Sequence, residues 1–284
     1  MQRQTARLRQ TFVRSGALVD EVAQSLSAAD FARPARVRGW DVRLLTAHLL
    51  WRLTSMAFQL DHPSASRPVT LEQYAAHSLA TTARRLEQAR ATADHDTGHA
   101  LAAQLHSVIA DLSVLLSDED LPPVVDTGVG RLNLLDFLRI YLIDVVVHLD
   151  DVRDALGPGA GPRREAPAAR VGRDNDPEAV AEVVRTLAEI LAARAPGQSV
   201  EVRIPPFAAV QIGDPEAASR AGSEFVEPAP THTRGTPPAV VETDPLTFMR
   251  LGLGRMTWAD ALGRRLVAAS GLRTDLSPQL PLIG

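Results

Sequence analysis

At 284 residues, with 45% hydrophobic and 23% charged side chains and a formal net charge of −4, the chain is long enough for two ordinary domains with real cores. No basic block points to nucleic acid or an anionic membrane, and no apolar run approaches the ~18 residues that span a bilayer. The opening MQRQTARLRQTF has no signal-peptide core, so a cytoplasmic protein is expected. Cysteine is absent and all 30 basic residues are Arg. That excludes disulfides, cysteine metal ligands, a cysteine nucleophile, a Schiff-base lysine and a Walker-type phosphate loop. It also points to a GC-rich genome, and any thiol chemistry must use a thiol from outside the chain.

Taken in order, residues 2–27 predict a first helix, with Leu8, Phe12, Leu18, Val22 and Leu26 at roughly helical spacing. Ser27 to Trp40, with Pro34 and Gly39, reads as a connection. Asp41 is a good N-cap for a second helix, VRLLTAHLLWRLTSMAFQL, which ends before His62. Thr70 caps a third helical stretch, LEQYAAHSLATTARRLEQARATA. The break DHDTG separates it from ALAAQLHSVIADLSVLLS, and Asp118 to Gly130 is a loop. The stretch from Asn133 to Leu156, NLLDFLRIYLIDVVVHLDDVRDAL, is apolar almost all round. It predicts a helix buried in an antiparallel all-α bundle over residues 1–156. Residues 157–175 are rich in Gly, Pro and Arg and predict a linker. From 176 to 284 the pattern changes. A helix from Pro177 to about Arg194 precedes short β-like runs, SVEVRI, FAAVQIG and AVVET. A helical stretch, PLTFMRLGLGRMTWADALGRRLVAA, and a terminal GLRTDLSPQLPLI complete an α+β domain. β-structure is expected only beyond about residue 195.

Two polar residues interrupt the most apolar part of the buried helix. Asp144 and His148 are four apart, so a helix sets them on one face, with Asp151 following on the same stripe. A carboxylate in such a helix is costly unless compensated, either by a coordinated cation or by a hydrogen-bonded ion pair. His48, among Leu44, Leu45, Leu49 and Trp51, is also core-facing. His48, Asp144 and His148 would give a two-His, one-carboxylate set with coordination positions left open, as a catalytic metal needs. The same three residues would serve as a satisfied core network, and spacing leaves both readings open.

Other residues read more plainly. His95 and His99 lie in a polar break; His62, His77 and His106 are isolated and read as surface or satisfied. Trp40 and Trp51 read as packing. Asp150 and Asp154 read as exposed, and Asp151 as a support for His148 or the wet end of the helix. Arg43 reads as solvated. His232 and Arg234 lie between Pro-rich turns. Arg234 suits bidentate capture of a substrate carboxylate, or pairs with Glu242 or Asp244.

The segment GWDVRLLTAHLLW, residues 39–51, resembles the N-terminal signature of the mycothiol-dependent maleylpyruvate isomerase family, within the DinB-like superfamily. DVVVHLDDVRDALG resembles its second signature, an acidic residue, three residues, then His. VEVRIPPFAAVQ, HTRGTPPAVVETDPLTFMRLGLG and ASGLRTDLSPQLPL resemble the family's second domain, related to sterol carrier proteins. The resemblance implies a DinB-like four-helix bundle at 1–156 and a sterol-carrier-like α+β domain at 176–284. It also implies a divalent metal on His48, Asp144 and His148, and mycothiol as cofactor. The family usually has Glu where this chain has Asp144, which shortens the carboxylate arm by one methylene, about 1.5 Å.

The expected activity is therefore metal- and mycothiol-dependent isomerisation or S-transfer on a small, electrophilic, carboxylated substrate. The metal favours the thiolate, the thiolate adds to carbon, and Arg234 holds the substrate carboxylate. Loss of the thiol after bond rotation isomerises; retention conjugates. Zinc suits the ligands best, with nickel or iron also suited. Two rivals follow from the same residues. One is a non-enzymatic binder of lipid or another small molecule, with PLTFMRLGLGRMTWADAL lining its pocket. The other is a metal-free family member that keeps Asp144 and His148 as a buried pair.

Overall fold

The structure is a computed structural model that describes residues 2–62, 66–94, 96–118, 120–157, 175–214 and 239–284. Packing divides the chain into two units, Met1–Thr70 with Thr81–Ala179, and Leu71–Ala80 with Val180–Gly284. The expected fold class holds, helical first and α+β second.

The first unit contains α1 (Gln2–Ser25), α2 (Ala28–Phe31), α3 (Val42–Asp61), α5 (Thr82–Ala93), α6 (Gly98–Leu115) and α7 (Leu134–Leu156). Helices α1, α3, α6 and α7 form a four-helix bundle in which each packs against two others, and α5 lies against α3. Asp41 caps α3 as the sequence implies, its carboxylate accepting from the Leu44 amide at 2.7 Å. Asn133 caps α7 through the Asp136 amide at 2.9 Å. At the other end of α7, Arg33 donates to the Leu156 carbonyl at 3.2 Å. Gly157 turns the chain there with φ of +78°. Phe137, Leu138, Ile140 and Tyr141 of α7 and Leu45, Leu53 and Met56 of α3 are all essentially inaccessible to water.

The expectation that β-structure begins only after residue 195 is wrong. Strand β1 (Val124–Asp126), within the segment read as a loop, and β2 (Arg131–Asn133), just after it, form an antiparallel hairpin. Val125 and Leu132 face each other across it and are buried. That apolar pair and the turn bond from the Thr127 amide to the Gly130 carbonyl, 3.1 Å, explain why three residues a side suffice. The third helical stretch is also not continuous. It breaks at Thr81, whose backbone leaves helical geometry, giving α4 (Leu71–Ala80) and α5. Helix α4 groups with the second unit, where the Ser78 hydroxyl donates to the carbonyl of Gly284.

The second unit holds most of α8 (Pro177–Arg194) and a four-stranded sheet in the order β4-β3-β5-β6. The strands are β3 (Val200–Ile204), β4 (Ala208–Ile212), β5 (Ala239–Thr243) and β6 (Val267–Gly271). Strand β3 pairs antiparallel with β4 and parallel with β5, and β5 pairs antiparallel with β6. Val200, Val202 and Ile204 point into the core, while Glu201 and Arg203 between them are partly exposed, the period-two pattern of a sheet covered on one face. Helices α9 (Pro245–Gly252) and α10 (Trp258–Gly263) follow β5. The first three residues of strand β6 fall in the stretch that the sequence reads as helical. Its VAASG has little β-propensity of its own, and its ladder to β5 decides the conformation.

Asp176 and Glu178, at the end of the first unit, are tied to α1. Arg14 Nε lies 2.6 Å from Asp176, and Arg7 and Arg14 lie 2.5 and 2.7 Å from Glu178. The hydrogen bonds from Arg7 and then Arg14 hold the Glu178 carboxyl below the usual carboxylate range. Its stabilisation is therefore complete above the ordinary Glu value near ~4.3 and is lost as pH falls through the lowered one. The wild type should melt higher than Glu178→Gln at neutral pH, and the gap should close in melts run stepwise from about pH 5 to pH 3. A gap that stays constant over that range would show that the ion pairs contribute nothing.

Candidate metal centre

The site is built where α3 meets α7. Successive same-face residues on α3 are His48 and Arg52; on α7 they are Tyr141, Asp144 and His148. His48 meets His148, with ring centroids 5.0 Å apart and planes at 79°. One turn further along α3, Arg52 Nε donates to Asp144 Oδ2 at 2.6 Å. Advancing on α3 thus means retreating on α7, so the two helices run antiparallel through the site.

One ligand atom each from His48, Asp144 and His148 lies within 4.8 Å of the others. This is the convergence the sequence predicts. His48 and His148 are 5% and 4% exposed, and the Asp144 side chain is 14% exposed. Two borderline imidazoles and one hard carboxylate make a donor set that suits zinc and its neighbours, so the residues present fit a divalent metal. Asp144 brings two oxygens, one of which bonds Arg52.

The His48 ring is walled by tryptophans, Trp40 edge-on at 5.2 Å and Trp51 tilted at 5.8 Å between centroids. Both pack, as expected, and they keep water from the back of the imidazole. Behind His148, Asp151 is fully buried with Oδ2 at 3.4 Å from His148 Nδ1. The two groups are close without hydrogen-bond geometry between them. Asp151 Oδ1 in turn faces Arg36 at 3.6 Å, and Arg36 also holds Asp150 at 2.8 Å and pairs with Asp154. Asp150 is consequently buried, not exposed as the sequence suggested.

Arg52 is the residue that sequence reasoning missed. Its guanidinium is 7% exposed at the side chain, and its Cζ sits 4.2 Å over the Tyr141 ring. The Tyr141 hydroxyl donates to Gln59 Oε1 at 2.9 Å. The signal was present: Arg52 lies four residues after His48, on the same face of the helix. The buried carboxylate of Asp144 is thus compensated by an ion pair with Arg52, not by a bond to His148. Arg43 is not solvated either; it is half-buried and donates to the Ala93 and Asp96 carbonyls at 2.5 and 3.3 Å. His62, His77, His99 and His106 are exposed. His95, His232 and Arg234 lie outside the described residues. Of the acids considered as partners for Arg234, Asp244 caps α9 through the Leu246 and Thr247 amides.

The sequence matches the family model described as mycothiol maleylpyruvate isomerase N-terminal domain over residues 12–153, half of the chain. The chain belongs to the mycothiol-dependent maleylpyruvate isomerase family. Residues 176–282 match the bacterial sterol-carrier-protein ortholog model. Among solved structures, the fold resembles a crystal structure of the mycothiol-dependent maleylpyruvate isomerase, with a TM-score of 0.56 and 16% identity, covering 95% of this chain and 93% of that one. A histidine-to-alanine mutant of that isomerase matches at a TM-score of 0.55 with the same identity and coverage. No functionally curated protein matches the sequence. Among the described residues no helix is long and apolar enough to cross a membrane.

The helical stretch on which the small-molecule-binding rival rests is in part core. Phe248, Met249 and Leu251 are buried, while Trp258 and Leu262 line an open surface cleft of about 500 Å³ together with Thr257, Asp275 and Ser277.

Proposed function

We propose that the chain is a metal- and mycothiol-dependent enzyme, an isomerase or S-transferase for a small, electrophilic, carboxylated substrate. His48, Asp144 and His148 would hold the divalent metal, zinc first by donor type. When bound, the metal would supply the positive charge that lets a thiol ionise near neutral pH. The remaining work falls to the chain. Asp151 lies on the Nδ1 side of His148, Trp40 and Trp51 wall the His48 ring, and Arg52 occupies one oxygen of Asp144. Arg234, on the strength of its sequence context, is the residue proposed to hold the substrate carboxylate.

The observation that carries this reading is the convergence of two buried imidazoles and a carboxylate within 4.8 Å in a chain that has no cysteine. A protein without a sulfur nucleophile that has a metal-type ligand set is suited to activating a thiol from solution. Calorimetry tests it directly. Mycothiol should bind the zinc-loaded protein and not the metal-free protein. Binding should release a proton and weaken as pH falls, because a thiol is deprotonated when it binds a metal. Equal mycothiol affinity with and without zinc would overturn the reading.

A further inference from the structure

We propose that Arg52 is a resident cation that competes with a divalent metal for Asp144, and so sets how tightly the site holds metal. This rests on the metal-site reading above. The argument begins with the position of the guanidinium. Arg52 Nε is 2.6 Å from Asp144 Oδ2, on the same carboxylate that completes the His48, Asp144 and His148 group. The pair is largely shielded from water, with side chains 7% and 14% exposed, so charge interactions there are stronger than at a surface. Arg52 is also not easily displaced. Its guanidinium is stacked on Tyr141 at 4.2 Å, a cation–π contact that strengthens with desolvation, and Tyr141 is itself anchored to Gln59.

Two consequences follow. The metal-free protein already satisfies Asp144, so it does not need a metal to fold. A metal bound through Asp144 must share that carboxylate with a fixed positive charge and pay for the like-charge repulsion. The short Asp side chain makes the sharing closer than a longer carboxylate would.

The test is zinc titration, by calorimetry and by the zinc-induced rise in melting temperature, on wild type and three variants. Arg52→Met removes the charge and the donor. Arg52→Gln removes the charge, keeps a donor for Asp144, and carries the test where Arg52→Met folds poorly. Arg52→Lys keeps the charge. Zinc affinity should tighten about tenfold or more in Arg52→Met and Arg52→Gln and stay near wild type in Arg52→Lys. Melting of the metal-free Arg52→Met protein should fall, because Asp144 is left buried and unpaired. Its zinc-induced rise should correspondingly exceed that of wild type. If wild type binds zinc and the neutral variants bind it equally or more weakly, Arg52 supports the site and the competition idea fails while the metal reading stands. If neither wild type nor any variant binds zinc, both fail together.

Discussion

Zinc should bind the wild-type protein and give no measurable binding heat with His148→Ala or Asp144→Ala, and mycothiol binding should disappear in the same two variants. Each substitution deletes one of three donors whose atoms lie within 4.8 Å of each other. Replacing even the supporting partner of a metal ligand typically costs 10–100-fold in affinity, so losing a ligand should cost at least about 100-fold. Joint loss is the informative part, because a thiol held by other contacts would survive removal of the metal. The two variants also differ in a useful way. His148→Ala leaves the bond between Arg52 and Asp144 intact and should fold like wild type. Asp144→Ala strands the Arg52 guanidinium in a buried position, which typically costs about 3–5 kcal/mol. Melting curves should therefore separate variants whose zinc titrations look the same. Zinc bound by His148→Ala at near wild-type affinity would remove His148 from the ligand set.

The candidate site was legible because it is written in helical periodicity. A spacing of four puts Asp144 and His148 on one stripe, and the apolar neighbours of His48 say which way it points. The same arithmetic reaches Arg52 from His48, but a helical Arg ordinarily reaches solvent. Only the facing residue on α7 shows that this one does not. Arg36 is similar: nothing in RPARVRGW states that one arginine will bind Asp150, Asp151 and Asp154. What contrasts the two cases is range. Local pattern specifies a face, and a partner on another element specifies what the face meets.

The same distinction explains the misread elements. The β1–β2 hairpin has three residues a side, too few for alternation to be recognised, and it is held by one buried cross-strand pair. Strand β6 is made of small residues, and all five of its positions take their conformation from pairing with β5. Helix α4 looks like the first half of one long helix until Thr81 breaks it. Its grouping with the second unit depends on contacts more than a hundred residues away, such as that of Ser78 with Gly284. The long helices α3, α7 and α8 needed no such help.

Gly197→Ala should destabilise the second unit by about 2–4 kcal/mol, the sum of overpacking and a strained backbone. Gly197 lies in the turn between α8 and β3 with φ of +150°, a conformation that side chains with a Cβ rarely take. A Cβ there would fall 2.5 Å from the Gly213 Cα and 2.9 Å from its nitrogen. Those are backbone atoms, and they cannot rotate away. Gly213 is itself fixed, because its amide donates to the Ala195 carbonyl at 2.7 Å, and the next rung runs from the Ser199 amide to the Ile212 carbonyl at 2.8 Å. The turn after α8 therefore crosses the end of β4 at backbone contact distance, which only two glycines allow. At roughly 4–8 °C per kcal/mol for a domain of this size, the loss should lower the melting transition by about 10 °C or more. Gly263→Ala in the same unit is the control, because a Cβ there meets nothing within 4 Å, and it should melt like wild type. Zinc affinity should be unchanged in both variants, since His48, Asp144 and His148 all belong to the first unit. Equal melting of Gly197→Ala and Gly263→Ala would show that the close approach at Gly213 relaxes at no cost, and the account of this turn would be wrong.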